Sequence, residues 1–152
     1  MTKDTVVVGA QRAWPEYQKY AAYICQSGRS FQPVEYIAFY LGGEIQPVVP
    51  KIVGGPQEVI FERGRYEGRM GELVDKVLSD GNKAEGVAQR VFLLSDLEDF
   101  ETAKLEGSIR NDLVNSIGKR MAFTRNQRYV SLFDLRRVAE MPEETRRTSG
   151  LG

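Results

Sequence analysis

The chain has 152 residues, 41% of them hydrophobic, with 21 Lys plus Arg balanced by 21 Asp plus Glu, a single cysteine and no histidine. That is enough apolar material for one core without metal or disulfide staples. The missing histidine excludes Ser-His-Asp and Cys-His chemistry and His-containing zinc sites, and the lone Cys25 excludes an intramolecular disulfide and a four-cysteine zinc site. No signal peptide or long apolar run is visible, so a soluble, cytoplasmic protein is the expectation, with no membrane span.

In chain order, Thr5 to Val8 (TVVV), bounded by Gly9, reads as a short buried strand. Trp14-Pro15 marks the start of a helix, because proline in the first helical position loses no useful donor. Tyr17, Tyr20, Ala21 and Ile24 then fall on one side at helical spacing, and Ser27-Gly28 offers the exit, with Cys25 as packing near the helix end. From Val34 to Phe61 the pattern predicts a three-stranded antiparallel meander. VEYIAFYL is followed by Gly42-Gly43, a two-residue hairpin turn that sets Leu41 opposite Glu44, Phe39 opposite Gln46 and Tyr40 opposite Ile45. Neither face of this hairpin is plainly polar, so cover is expected on both sides. Pro47 and Pro50 place its middle strand at an edge or at a bend, Gly54-Gly55-Pro56 reads as the second turn, and Glu58 to Phe61 as the third strand.

Glu62 to Glu72 breaks all periodicity and reads as a flexible basic loop holding Arg63, Arg65, Tyr66 and Arg69 among three glycines. A helix with Leu73, Val74, Val77 and Leu78 inward follows, stopped at Asp80-Gly81-Asn82, and Gln89 to Leu94 is the next strand. Ser95 with Glu98 resembles a capping box opening an acidic helix, Leu97 and Phe100 inward. Ile109, Leu113 and Ile117 suggest another helix ended by Gly118. A strand around Arg128 to Val130 leads into a last helix capped by Ser131 and Asp134, with Leu132, Leu135 and Val138 inward and Pro142 as its stop. No repeat or linker interrupts the chain, so residues 1–141 read as a single α+β domain and 142–152 as a frayed polar tail.

Charge is uneven. Residues 61–110 hold eight Lys/Arg against eleven Asp/Glu, whereas 111–152 hold eight against five, which makes the C-terminal third basic and compatible with an anionic partner. Gly64, Gly68 and Gly71 do not match a dinucleotide-binding fingerprint, and no phosphate-binding P-loop occurs. Asp96, Asp99, Glu101 and Lys104 fit neither a restriction-type nuclease motif nor a calcium loop, and read as a solvated helix face. No catalytic residue, metal ligand or cofactor site is assigned.

Basic and aromatic clusters remain. Lys119, Arg120, Arg125 and Arg128 surround Asn126 and Gln127, and Arg63, Arg65 and Arg69 surround Tyr66. Such groups contact phosphates by charge and bases by amide hydrogen bonds or stacking. Trp14 and Tyr66 sit at turn-like positions and are expected to be exposed, whereas Tyr36 and Tyr40 are expected to be structural.

The strand VEYIAFY with its hairpin GGEIQPVVPKI, the later QRVFLLSDL and the closing RYVSLFDLRRV, in which a strand runs into a capped helix, together resemble the PUA-like group of small barrels that includes EVE, ASCH and YTH domains. The pattern spans roughly Thr5 to Ala139. The resemblance implies a curved, mostly antiparallel sheet or small β-barrel flanked by short helices, and a module that binds RNA or modified DNA. The expected function is therefore nucleic-acid binding without catalysis, through Trp14, Arg63, Arg65, Tyr66, Arg69, Lys119, Arg120, Arg125 and Arg128. A Mg²⁺-dependent nuclease working through carboxylates and a protein-interaction or regulatory domain are the alternatives.

Overall fold

The structure, a computed structural model, describes residues 3–28, 31–110 and 128–140. The chain is α+β. It begins β1 (Thr5–Gly9), α1 (Ala13–Tyr20), β2 (Ala22–Gln26), β3 (Tyr36–Leu41), β4 (Glu44–Ile45), β5 (Val48–Val49) and β6 (Ile52–Ile60). It continues α2 (Gly68–Ser79), β7 (Ala88–Leu94), β8 (Ala103–Lys104), β9 (Ile109–Arg110), β10 (Arg128–Val130) and α3 (Leu132–Ala139). Five strands in the order β10-β1-β3-β4-β9 form a curled half-barrel sheet, β2-β7-β6 form a second sheet, and β5 pairs with β8. Within the first sheet β1 runs parallel to β3.

Among the described residues, alternation along the strands divides the interior into three clusters. Val6, Val8, Ile37 and Phe39 point from the first sheet toward Tyr23, Cys25, Phe92 and Leu94 of the second, with Tyr17 of α1 filling the space between. The opposite face of the first sheet, with Val7, Ala38, Tyr40 and Ile45, is covered by Leu132, Leu135 and Val138 of α3. On the outer face of the second sheet, Ala22, Ile24 and Val91 meet Leu73, Val74 and Val77 of α2. Two sheets back to back, each covered outside by a helix, account for the absence of a polar face on the β3 hairpin.

Beside its turn the hairpin keeps the expected register, but farther on Ile37 N–H donates to Pro50 O at 3.1 Å and Tyr36 bridges Lys51, two residues out of it. Tyr40 pairs with Ile45 and Leu41 with Glu44, and the Gln46 N–H donates to Phe39 O at 2.8 Å. Gly42 and Gly43 hold positive φ of 63° and 81°, the geometry that a tight hairpin turn requires. β1, the α2 helix, β7, β10 and the Ser131 cap also stand where the sequence places them. The Ser131 side chain accepts from Asp134 N–H at 3.0 Å, and Leu132, Leu135 and Val138 face inward.

Several expectations are corrected. The first helix stops at Tyr20, because Ala21 adopts the left-handed conformation (φ 53°) and the next five residues form β2. Ile24 and Cys25 are strand residues, and Pro15 is the third residue of α1 rather than the first. The meander is broken. After Pro50 the chain leaves the β3–β4 sheet, and β6 pairs with β7, running straight through Gly54-Gly55-Pro56 with two register shifts and a cis Gly55–Pro56 peptide. The segment at 54–56 is thus a bulge in a long strand rather than a turn.

The basic segment is half helical, α2 starting at Gly68. The supposed acidic helix is a loop. Asp96 Oδ1 accepts the Glu98 N–H at 2.9 Å and Asp99 Oδ1 the Glu101 N–H at 2.8 Å, local side-chain turns that compete with helix formation. Phe100 at its tip is 95% exposed rather than inward. Ile109, read as helical, opens β9, while Leu113, Ile117, Pro142 and the tail at 142–152 lie outside the described residues. Among the described residues, no helix is long and apolar enough to cross a membrane.

Candidate functional site

A cleft of about 840 Å³ opens where the ends of the two sheets diverge. Gly9 and Ala10 after β1 and Tyr40 to Gly43 of the hairpin form one wall, and Tyr23 to Gln26 of β2 the other. Gln11, Arg12, Ala13 and Glu16 at the start of α1, with Lys83 and Gln89, complete the lining. The parallel pairing of Gly9 with Tyr40 brings the end of β1 beside the hairpin, and the β2–β7 register sets Gln26 directly opposite Gln89.

The chemistry of the lining is amide-rich and weakly cationic. Gln11, Gln26 and Gln89 supply carboxamides, which offer both donors and acceptors. Lys83 pairs with Glu16 at 3.5 Å, whereas among the described residues no carboxylate pairs with Arg12. Arg12 is also the N-cap residue of α1, and it makes no side-chain cap. Arg12 thus sits at the positive end of the helix, where an anion is favoured by both charge and dipole. A smaller hollow of about 480 Å³ shares Gln11, Arg12, Glu16 and Lys83 with the cleft and extends along α1 to Lys19 and Tyr20. There the Tyr20 hydroxyl donates to Asp80 at 2.7 Å, and Lys19 lies 3.1 Å from the same carboxylate. Asp80 is held below the ordinary carboxylate range by the hydrogen bonds from Tyr20 and Lys19, and burial pushes Tyr20 up. That network fastens α1 to the end of α2.

The residues singled out from the sequence occupy other places. Trp14 is half-buried, not exposed, because it lies on the inward face of α1 three residues before Tyr17. Its ring sits 5.9 Å from that of Tyr17 and 5.5 Å from that of Phe39. Tyr66 is half-buried as well. Its hydroxyl accepts the Ile60 N–H at 2.9 Å, capping the open side of β6, and its ring packs with the α2 cluster. Trp14 and Tyr66 thus lie on opposite faces of the β2-β7-β6 sheet.

The arginines near Tyr66 are held locally. Arg63 donates to Ser79 Oγ at 3.0 Å, and Arg65 bonds Glu62 at 3.1 Å and lies 5.8 Å from the Tyr66 ring centroid. Arg69 reaches Ala21 O at 2.9 Å and Leu94 O at 2.7 Å, tying α2 to the end of α1 and the end of β7. Arg128 pairs with Val7 in the first sheet, and Lys119, Arg120 and Arg125 lie outside the described residues. Tyr40 is 9% exposed, as expected of a structural residue, and Tyr36 is half-buried against the α3 side.

The cleft residues Gln11, Arg12, Gln26 and Gln89 carry no motif. Their one sequence signal is the strand-Gly-helix transition VVVGAQRAW, which places Gln11 and Arg12 at a helix start. Among the described residues, no three His, Cys, Asp or Glu side chains gather as a metal site. Comparisons with protein-family models, with curated proteins and with solved structures return no match to this chain.

Proposed function

We propose that the protein is a nucleic-acid-binding module without catalysis of its own, and that the cleft between β2 and the β3–β4 hairpin is where an unstacked nucleotide is held. The observation that carries this reading is Arg12 in the lining of the cleft of about 840 Å³, at the α1 N-terminus, together with three glutamines. A guanidinium supplies the phosphate contact and carboxamides supply paired donors and acceptors for base edges. At about 840 Å³ the cleft is within the range of small-molecule and nucleotide sites. The resemblance of the hairpin, the QRVFLL strand and the RYVSLFDL transition to PUA-like barrels points the same way.

In this reading the anchor moves from the Arg63–Arg69 segment, whose guanidiniums bond within the chain, to Arg12. Fluorescence-anisotropy titration with short single-stranded oligonucleotides tests it. Binding at low salt should weaken as salt rises, and Arg12→Glu should weaken it while leaving the melting temperature unchanged. No binding at low salt, or equal binding by Arg12→Glu, overturns the reading.

A further inference from the structure

The wall of the cleft formed by β2 has an unusual property for a strand: four consecutive residues, Tyr23, Ile24, Cys25 and Gln26, all line it. Side chains alternate between faces, Tyr23 and Cys25 entering the cluster between the sheets and Ile24 the cluster under α2. Only the edge of the strand reaches all four, so the cleft is bounded by the main chain of β2.

The ladder shows which main-chain groups face that way. Leu94 N–H donates to Ala21 O at 2.9 Å, and the register runs from Ala22 opposite Leu93 to Gln26 opposite Gln89. Hydrogen-bonded pairs alternate in an antiparallel ladder. Tyr23 and Cys25 therefore spend their N–H and C=O groups on Phe92 and Arg90, while those of Ile24 and Gln26 point away from β7. The other side of β7 agrees, since Phe61 N–H donates to Val87 O at 3.0 Å, which assigns the groups of Val87, Gln89 and Val91 to β6. Among the described residues nothing hydrogen-bonds the outward groups of Ile24 and Gln26, and Ile24 is 6% exposed. A main-chain donor and acceptor that the ladder leaves over, along an edge lining a cleft, are free to bond a ligand.

We infer that this edge reads the Watson–Crick side of a single unpaired base, the outward N–H and C=O of Ile24 meeting the acceptor and N–H that every base places side by side there. The inference rests on the nucleic-acid reading and adds the ligand class: single-stranded nucleic acid, tolerant of base identity, intolerant of modification on the Watson–Crick edge. Main-chain groups carry no side-chain selectivity, so thymine N3–H beside O4 and adenine N6–H beside N1 are served alike. Gln26 on β2 and its ladder partner Gln89 on the central strand β7 both line the same cleft.

The test uses the full chain with oligothymidylate, oligodeoxyuridylate of the same length, oligothymidylate methylated at N3, and the matching duplex. Thymidylate and deoxyuridylate should bind equally, since C5 points away from the reading edge, and N3-methylation and duplex formation should each weaken binding about tenfold or more. Binding of the N3-methylated strand or of the duplex as tight as that of free thymidylate overturns this inference and leaves the nucleic-acid reading standing. Failure of every single strand to bind at low salt overturns that reading itself, and this inference with it. In the protein, Ile24→Pro deletes the outward N–H without touching the β2–β7 ladder, and Ile24→Ala controls for lost packing. The proline variant should bind thymidylate more weakly than the alanine variant, and equal affinities count against the edge. Should the proline variant fail to fold, the base-modification series on the unaltered protein decides alone.

Discussion

Replacing Tyr17 by Phe removes one oxygen from the middle of the molecule and tests how α1 is fastened to the sheets. Tyr17 is 1% exposed, its ring stacks on Phe39 at 5.2 Å between centroids, and its hydroxyl donates to Ser95 O at 2.8 Å. Ser95 is itself buried, with its hydroxyl accepting from Lys51 N–H and from Thr102. Phenylalanine keeps the ring contacts, so the loss is one hydrogen bond and a buried carbonyl left without this donor, about 1–2 kcal/mol. For a domain of this size that lowers the melting temperature by roughly 3–6 °C.

The hydroxyl also carries a pH signature. Burial pushes Tyr17 up to about 12, against about 10 in an unfolded chain. Below the unfolded value both states hold the proton and pH has no effect through this group. Above it the unfolded chain ionises first, so stability falls as pH rises toward the folded value. Urea melts followed by Trp14 fluorescence from about pH 8 to about pH 11 should show a shallower alkaline loss in Tyr17→Phe than in the wild type. An unchanged midpoint near neutrality together with parallel alkaline slopes would refute the anchoring role.

Three further outcomes follow from the same geometry. Arg69→Ala should destabilise the fold by about 2 kcal/mol, because two main-chain carbonyls lose a charged donor; reduced oligonucleotide affinity at unchanged stability would show that Arg69 works at the surface instead. Gly55→Ala should cost more than about 2 kcal/mol in a denaturant melt, by forcing a non-glycine residue into a strained backbone conformation, since a Cβ there would meet Val91 O at 2.6 Å and φ is 89°; a near-neutral variant would contradict the close strand approach at the β6 bulge. Glu58 is held below its ordinary range by the Ser27 hydroxyl, the Gly28 N–H and Arg90, so its contribution is present above the unfolded carboxylate pKa and is lost as pH falls through the lowered folded value. Acid melts of Glu58→Gln should lose less stability over that window than the wild type, and identical acid profiles would discount the Ser27–Gly28–Glu58 contact.

Local signals were legible where geometry is local. A two-residue Gly-Gly turn fixes its own register, a Ser131–Asp134 cap needs only neighbouring residues, and the α2 stripe of Leu73, Val74, Val77 and Leu78 is decided by one helix face. The apolar set Tyr17, Tyr20, Ala21 and Ile24 misleads, because it satisfies helical spacing while β2 pairs with β7 more than sixty residues away. Tertiary pairing overrides the local pattern there. Gly54-Gly55-Pro56 has turn composition yet serves as a bulge, since β7 supplies a long partner strand that continues past it. In the same way the Asp96 and Asp99 carboxylates prefer nearby N–H groups to a helix. The cleft was hidden for a different reason: Gln11, Arg12, Gln26 and Gln89 come from separate segments, joined by a parallel β1–β3 pairing and a β2–β7 register that composition does not encode.

The cleft depends on where α1 ends. Had the helix continued to Gln26, no strand edge would face the hairpin. Ala21 ends it by closing its N–H on Tyr17 O at 2.8 Å in a left-handed conformation that costs an alanine roughly 1 kcal/mol or more. That conformation persists because the Ala21 carbonyl is held twice, by Leu94 N–H at 2.9 Å and by Arg69 at 2.9 Å. Arg69, which the sequence marks as a nucleic-acid contact, thus holds the helix-to-strand switch that leaves β2 as an edge. Basic character at this position supports the candidate site through the backbone, and an Arg69 variant should disturb binding only to the extent that it loosens β2.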